Sequence, residues 1–512
     1  MLGLAAMTNH LFALVRESLP ADSAKTFIET PDGRTYSYAD LLARSGAYAA
    51  ALQELGVRPG DRVAAQVEKS PEVVFLYLGA VRAGAVFLPL NTAYTAAEIG
   101  YFLRDAEPAV FVCDTGRRDA LADVAARAGV AHMLTLDGAG QGSAAEAADR
   151  ADPNAFADVV RVADDLAAIL YTSGTTGRSK GAMLSHENLA SNARTLREFW
   201  RFTSDDVLIH ALPVFHTHGL FVATNTVLVS GGTMLFLPRL DPKLILRLMP
   251  RATSMMGVPT FYTRLLKEPG LDREATGHMR LFVSGSAPLL AETHREWQAR
   301  TGHAILERYG MTETNMSTSN PYEGARVAGT VGLPLPGVRI RVVDPETGKV
   351  LPADTVGMIE VKGPNVFQGY WRMPEKTAAE FRADGFFITG DLGKIDADGY
   401  VHIVGRGKDL IITGGFNVYP KEVETEIDAM PGVVESAVIG LNHPDFGEGV
   451  TAVVVASENA PDEAAILAHL EGRLAKFKCP KRVLFADELP RNTMGKVQKN
   501  LLREAHAGLY GG

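Results

Sequence analysis

The run YTSGTTGRSKG at 171–181 carries the strongest chemical signal in the chain. An apolar strand, AAILY at 167–171, leads into it. Backbone N–H groups and hydroxyls of Thr172, Ser173, Gly174, Thr175 and Thr176 can therefore converge on phosphate oxygens, with Lys180 supplying the counter-charge. A Walker loop would close on Gly-Lys-Ser/Thr and open a helix. Here Lys180 precedes Gly181 and an apolar stretch, Ala182 to Leu184, which excludes the P-loop NTPase reading. A flexible surface loop would explain the composition, but not one lysine set between two apolar strands.

Six further segments follow in order: LPVFH (212–216), SGSAP (284–288), ERYGMTE (307–313), TGD (389–391), GRGKD (405–409) and PRNTMGK (490–496). With the phosphate loop, this series resembles the acyl-adenylate-forming superfamily of acyl-CoA synthetases, adenylation domains and luciferases. Within it, Arg308 in ERYGMTE and the HTHG after Phe215 resemble the malonate–CoA ligase subgroup. The resemblance implies an acid–thiol ligase that uses ATP, Mg²⁺ and CoA and passes through an acyl-adenylate. Its substrate would be a small dicarboxylate, malonate with methylmalonate as a second candidate. Another short-chain or aryl acid, or a carrier protein in place of CoA, is the alternative within enzymes. A non-catalytic nucleotide-binding relative is disfavoured because Lys180, Glu313, Asp391, Arg406 and Lys496 are all present.

The chemistry explains why such residues are needed. A carboxylate repels nucleophiles and offers no leaving group, so activation requires charge neutralisation at phosphorus and in-line geometry more than a covalent nucleophile. By resemblance, the 172–180 loop holds the β- and γ-phosphates, Glu313 ligates Mg²⁺ and Thr312 touches the α-phosphate. Gly285, Ser286, Ala287 and Pro288 form the adenine turn, Glu307, Arg308 and Tyr309 continue that face with Tyr309 stacking on the base, and Asp391 and Arg406 take the ribose. Lys496 bridges the attacking carboxylate and the α-phosphate as a mobile point charge, with Lys499 as the decoy three residues on. His216 lies where the CoA thiol would approach, its pKa expected within reach of neutral pH. Arg308, with Arg239 as the alternative, would pair the distal carboxylate, beside Ser284, His218 and Met311. Gly414, Gly415 and Phe416 would line the pantetheine channel, and Lys476 and Lys478 would meet CoA phosphate. Lys408 is the expected hinge. A protein acyltransferase acting on Lys496 is a further partner the resemblance raises. A zinc site at His210, His216 and His218 lacks a cysteine or carboxylate at ligand spacing.

Positioning these groups calls for a large α/β framework. From about residue 30 to 300, apolar strands such as 63–67, 207–212, 233–237, 254–258 and 281–285 alternate with helical patterns, which predicts parallel βαβ sheets. RIRVVD, the turn Pro345–Gly348 and MIEVKG then read as a hairpin in a smaller, barrel-like antiparallel section. Beyond Gly405–Asp409 a small, mobile α+β domain is expected, so the chain divides into residues 1–407 and 408–512.

At 512 residues the chain is too long for one core, and its 46% apolar and 22% charged content is that of an ordinary globular protein. A net charge of −9 without a basic block argues against nucleic acid as a partner. Two cysteines, Cys113 and Cys479, read as reduced thiols rather than a disulfide framework. The N-terminal MLGLAAMTNHLF lacks a basic n-region and a sustained apolar core, and Met7 is a second candidate start. No apolar run reaches about 18 residues, so no membrane span and a cytoplasmic location are expected.

Overall fold

Antiparallel pairing of Leu166–Thr172 with Lys180–Ser185 explains the unusual place of Lys180: it opens a strand, with Thr172 as its register partner. The computed structural model describes residues 8–511 apart from 154–155, 173–178, 414–415, 458–459, 472, 475 and 493–494. Ser173, Gly174, Thr175, Thr176, Gly414 and Gly415 lie outside the described residues.

Two large sheets carry the N-terminal portion. The seven-stranded sheet runs Gly369–Tyr370, Lys180–Ser185, Leu166–Thr172, Val86–Pro89, Arg62–Gln66, Val110–Cys113, His132–Thr135. The nine-stranded sheet has a parallel centre, Thr26–Glu29, Thr233–Phe236, Val207–His210, Ser254–Gly257, Leu281–Ser284 and Leu306–Met311, flanked by antiparallel strands. Its central strands are buried almost throughout, as parallel strands covered on both faces must be. The polar residues of the site therefore cluster where these strands end.

The predicted hairpin pairs Arg339–Val343 with Gly357–Lys362 and extends through Phe387–Ile395 and Val401–Arg406 into a four-stranded antiparallel sheet. Backbone bonds Val331 N–H to Val401 O (2.9 Å) and Val401 N–H to Gly332 O (2.8 Å) tie that sheet to the large framework. After the short turn Gly407–Asp409 comes a distinct C-terminal sheet: Phe416–Val418, Ile411–Thr413, Gly447–Ala456 and Val433–His443, with Arg482–Ala486 parallel to Gly447–Ala456. It has its own apolar core, including Val423, Ile427, Val438, Val454 and Ile466. No helix among the described residues is long and apolar enough to cross a membrane.

Candidate active site

Neighbouring strands of the four-stranded sheet set Asp391 directly opposite Arg406, and Arg406 Nε lies 2.8 Å from Asp391 Oδ1. The Tyr309 hydroxyl, arriving from the end of Leu306–Met311, donates to Asp391 Oδ2 at 2.5 Å. Asp391 is buried, yet both carboxylate oxygens have partners. Its charge in turn holds the Arg406 guanidinium above its ordinary pKa, while burial, followed by Asp391, pushes the Tyr309 phenol up. Lys496 reaches the same cluster from the C-terminal sheet's side, where Gly495 packs close to Thr260. Poor solvation of its ammonium, then repulsion from Arg406, brings Lys496 down to about 8, with Asp391 and Asp409 acting the other way. Lys499 is turned away into an ion pair with Glu424, 2.5 Å apart.

A tight turn after Tyr309 places Glu313. A Cβ on Gly310 would fall 1.8 Å from the Asn315 carbonyl, so only glycine fits where the strand folds back. Thr312 is half-buried in this turn, and Glu313 is buried beneath it. Glu313 Oε1 accepts from the Tyr370 hydroxyl at 3.1 Å and from Thr172 Oγ1 at 3.4 Å, and burial raises the carboxyl's pKa. Lys180 Nζ sits 4.1 Å from the Tyr370 ring centroid and 3.2 Å from Glu380 Oε1. A buried carboxylate with an adjacent hydroxyl is a hard-oxygen donor set that suits Mg²⁺ shared with phosphates. Among the described residues no group of three or more His, Cys, Asp or Glu could hold a metal.

The third cluster surrounds Arg308, which is 2% exposed, and its Nε and Nη2 have no hydrogen-bond partner among the described residues. Burial brings this guanidinium down to about 9. Gly285 makes its seat possible, since a Cβ there would fall 2.5 Å from Arg308 Cζ. His216 sits just before a widened π-helical segment, His218–Thr224, and its Nδ1 accepts from the His218 N–H at 3.3 Å. His218 Nδ1 meets Ser286 Oγ at 3.3 Å, and Ser286 holds a left-handed φ of 69°. His218 Nε2 and the Ser284 hydroxyl are buried and have no hydrogen-bond partner among the described residues. Met311 is half-buried at the end of the same strand as Arg308. Burial and the charge of Arg308 lower His216 to about 4 and push His218 down as well. That corrects the expectation of a near-neutral His216: both rings are uncharged at physiological pH.

Other expected site residues are not brought together. Arg239 is exposed on the bend after Thr233–Phe236, which leaves Arg308 as the buried arginine. Glu307 Oε1 lies 3.3 Å from His294 Nδ1 and accepts from the Gly329 N–H, so that oxygen is already engaged by the protein. Gly285, Ser286 and Ala287 stay on the cleft side of the Arg308 strand, whereas Pro288 is exposed. Lys478 pairs with Glu422 at 2.5 Å, Lys476 is exposed, and Phe416 stacks on Phe477 at 4.7 Å while remaining 56% exposed. Lys408 is exposed in the turn between the two sheets. His210 is tied by its ring to Lys69 Nζ (2.8 Å) and the Gly219 carbonyl (2.9 Å), which fixes the π-helical segment from behind. Tyr370, Glu380, Lys69 and His294 went unremarked in the sequence. Their partners lie 10 to 200 residues away, and no local spacing pairs them.

A family model described as AMP-binding enzyme matches residues 15–371, and one described as AMP-binding enzyme C-terminal domain matches 422–496. The chain is 34% identical to a malonate–CoA ligase of Arabidopsis thaliana, over 97% of this chain and 91% of the relative. It is 67% identical to MatB from Rhodopseudomonas palustris, whose ATP-bound crystal structure superposes with a TM-score of 0.96 over 98% of this chain and 100% of that one. The apo structure of the same relative, with the same coverage, scores 0.85. The arrangement here is thus more like the ATP-bound form.

Proposed function

Because the chain belongs to the AMP-binding enzyme family, we propose that it joins malonate to CoA, forming malonyl-CoA, AMP and pyrophosphate through malonyl-adenylate. One observation carries the choice of acid: Arg308 is a buried guanidinium with two nitrogens lacking partners among the described residues. An unpaired buried cation is costly, and a distal carboxylate would relieve it while offering the planar match of a forked donor. Uncharged His216 and His218 would flank that carboxylate without competing for the arginine as anions would.

In the first half-reaction one carboxylate oxygen of malonate attacks the α-phosphorus and pyrophosphate leaves. Thr172 and Lys180 hold the departing phosphates, with the residues 173–176 of the same loop. Asp391, fixed by Arg406 and Tyr309, takes the ribose. Glu313 and Thr172 would hold Mg²⁺, which when bound offsets the polyphosphate charge. Thr312 contacts the α-phosphate. Lys496 offsets charge between acid and phosphorus. In the second half-reaction the CoA thiol sulfur attacks the acyl carbon and AMP departs. We place the domain boundary at 407/408, with Lys408 as the hinge that withdraws Lys496 and brings Gly414, Gly415 and Phe416 to the cleft. The change of sheet at Gly407–Asp409 supports that reading. His216 steers the thiol's approach as a neutral ring, and Lys476 contacts CoA phosphate more readily than Lys478, which already has a partner.

Lys496, brought to about 8, is also suited to acylation by a protein acyltransferase, because a larger fraction of it is free amine than of an ordinary lysine. A cytoplasmic location is part of the reading, supported by a cysteine count of two, too few for a disulfide framework. The test is CoA-dependent AMP formation with malonate, methylmalonate, acetate and a longer fatty acid side by side. Malonate should exceed acetate and the fatty acid in kcat/KM at least about tenfold, the value of one charged hydrogen bond. Equal use of acetate contradicts the assignment.

A further inference from the structure

Lys180 is not waiting for phosphate with a free charge. Its ammonium lies 3.2 Å from Glu380 Oε1 and over the Tyr370 ring. Glu380 ends the helix Pro374–Glu380, is one-fifth exposed, and also takes Lys376 Nζ at 2.8 Å. Tyr370 stands between two carboxylates, its hydroxyl 2.6 Å from Glu380 Oε2 and 3.1 Å from Glu313 Oε1. One phenolic proton can serve only one carboxylate at a time, and the shorter contact is to Glu380. Despite the cost of burial, the donors Lys376 and Tyr370 and the charge of Lys180 hold Glu380 below its ordinary pKa, so it is an anion.

We propose that Glu380 and Tyr370 form a resting clamp for Lys180: the carboxylate holds the ammonium while no phosphate is bound, yields it to the polyphosphate, and recaptures it as pyrophosphate departs. This rests on the reading of Lys180 as a phosphate ligand. The physical argument is competition. A fixed anion at ion-pair distance from Lys180 and a bound phosphate both draw on one ammonium, and the anion repels the phosphate. The clamp therefore weakens polyphosphate binding and speeds release of the product that would otherwise be held by the loop's lysine. Glu380 and Tyr370 are positioning residues in this scheme.

Binding of inorganic pyrophosphate with Mg²⁺ to the full-length protein tests it, measured by calorimetry on the parent, Glu380→Gln, Lys180→Ala and the double variant, with AMP as a control ligand. Glu380→Gln should tighten pyrophosphate binding about three- to tenfold, as expected for removing one half-buried competing charge, and slow pyrophosphate release correspondingly. AMP affinity should not move, because a merely structural change at the cleft would alter both ligands and the clamp alters only one. The gain should vanish in the Lys180→Ala background. Unchanged or weaker pyrophosphate binding in Glu380→Gln overturns the clamp while Lys180→Ala still weakens binding. If Lys180→Ala leaves pyrophosphate binding intact, the phosphate-ligand reading falls and the clamp with it.

Discussion

Arg406 and Arg308 both reach into the cleft, but Arg406 lies 2.8 Å from Asp391 whereas Arg308 is 2% exposed with two unpartnered nitrogens. At the ribose end the charges are balanced by the protein's own residues, because adjacent strands place Asp391 and Arg406 opposite each other. In the function proposed above, the balance at the acid end is left to the substrate. A neutral acyl tail would then leave the guanidinium unpaired, so the pocket would disfavour monocarboxylates.

The largest expected effect lies at the paired end. Lys496→Ala should lower malonyl-adenylate formation about a thousandfold, the upper range for removing one preorganised stabilising group, while CoA transfer from supplied malonyl-adenylate stays within about threefold. Equal loss in both half-reactions would mean that Lys496 serves the whole site rather than one chemical step.

Protonation gives a second handle on the same end. Lys496 is an ammonium below about 8 and loses its proton above, so kcat/KM for the first half-reaction should fall as pH rises through that value. By one pH unit beyond the pKa the loss should be about tenfold, whereas an ordinary lysine would hold the rate to about pH 10. A pH profile flat to pH 10 would show that the ammonium keeps its ordinary solvation.

At the unpaired end, Gly285→Ala should displace Arg308, because the added Cβ would fall 2.5 Å from Cζ. Efficiency with malonate should drop about five- to tenfold, in line with the cost of overpacking, and more than the affinity for AMP drops. Steady-state kinetics on malonate and AMP binding in parallel distinguish the two ends. The smallest effect is expected from Arg239→Ala. Its side chain is exposed beyond the cleft, and malonate kinetics should change by less than about twofold.

The two ends also differed in how far the sequence revealed them. Lys180, Tyr309, Glu313, Asp391, Arg406 and Lys496 stand in short segments whose spacing reflects backbone turns, so the segments could be recognised one at a time. The structure collects Tyr309, Arg406 and Lys496 around Asp391 and sets Lys180 and Glu313 beside Tyr370. The acid pocket has no such local grammar. On paper Arg308 comes first with Arg239 as the alternative, and the tertiary fold buries the first and exposes the second. The same is true of His216, whose shift to about 4 comes from burial and from Arg308, 92 positions away in the chain by their numbers. Glu307 adjoins Arg308 in the same strand, yet its carboxylate is engaged by His294 and the Gly329 N–H, partners that no local spacing reveals.

Whether the buried arginine selects a dicarboxylic acid is read directly from the ratio of kcat/KM for malonate to that for propionate in the parent and in Arg308→Ala. Loss of one charged hydrogen-bonded pair should cut malonate efficiency about ten- to a hundredfold, while propionate is used as well as before or better. The ratio should therefore collapse by at least about tenfold. An Arg308→Ala enzyme that keeps the parent's preference for malonate would contradict the account.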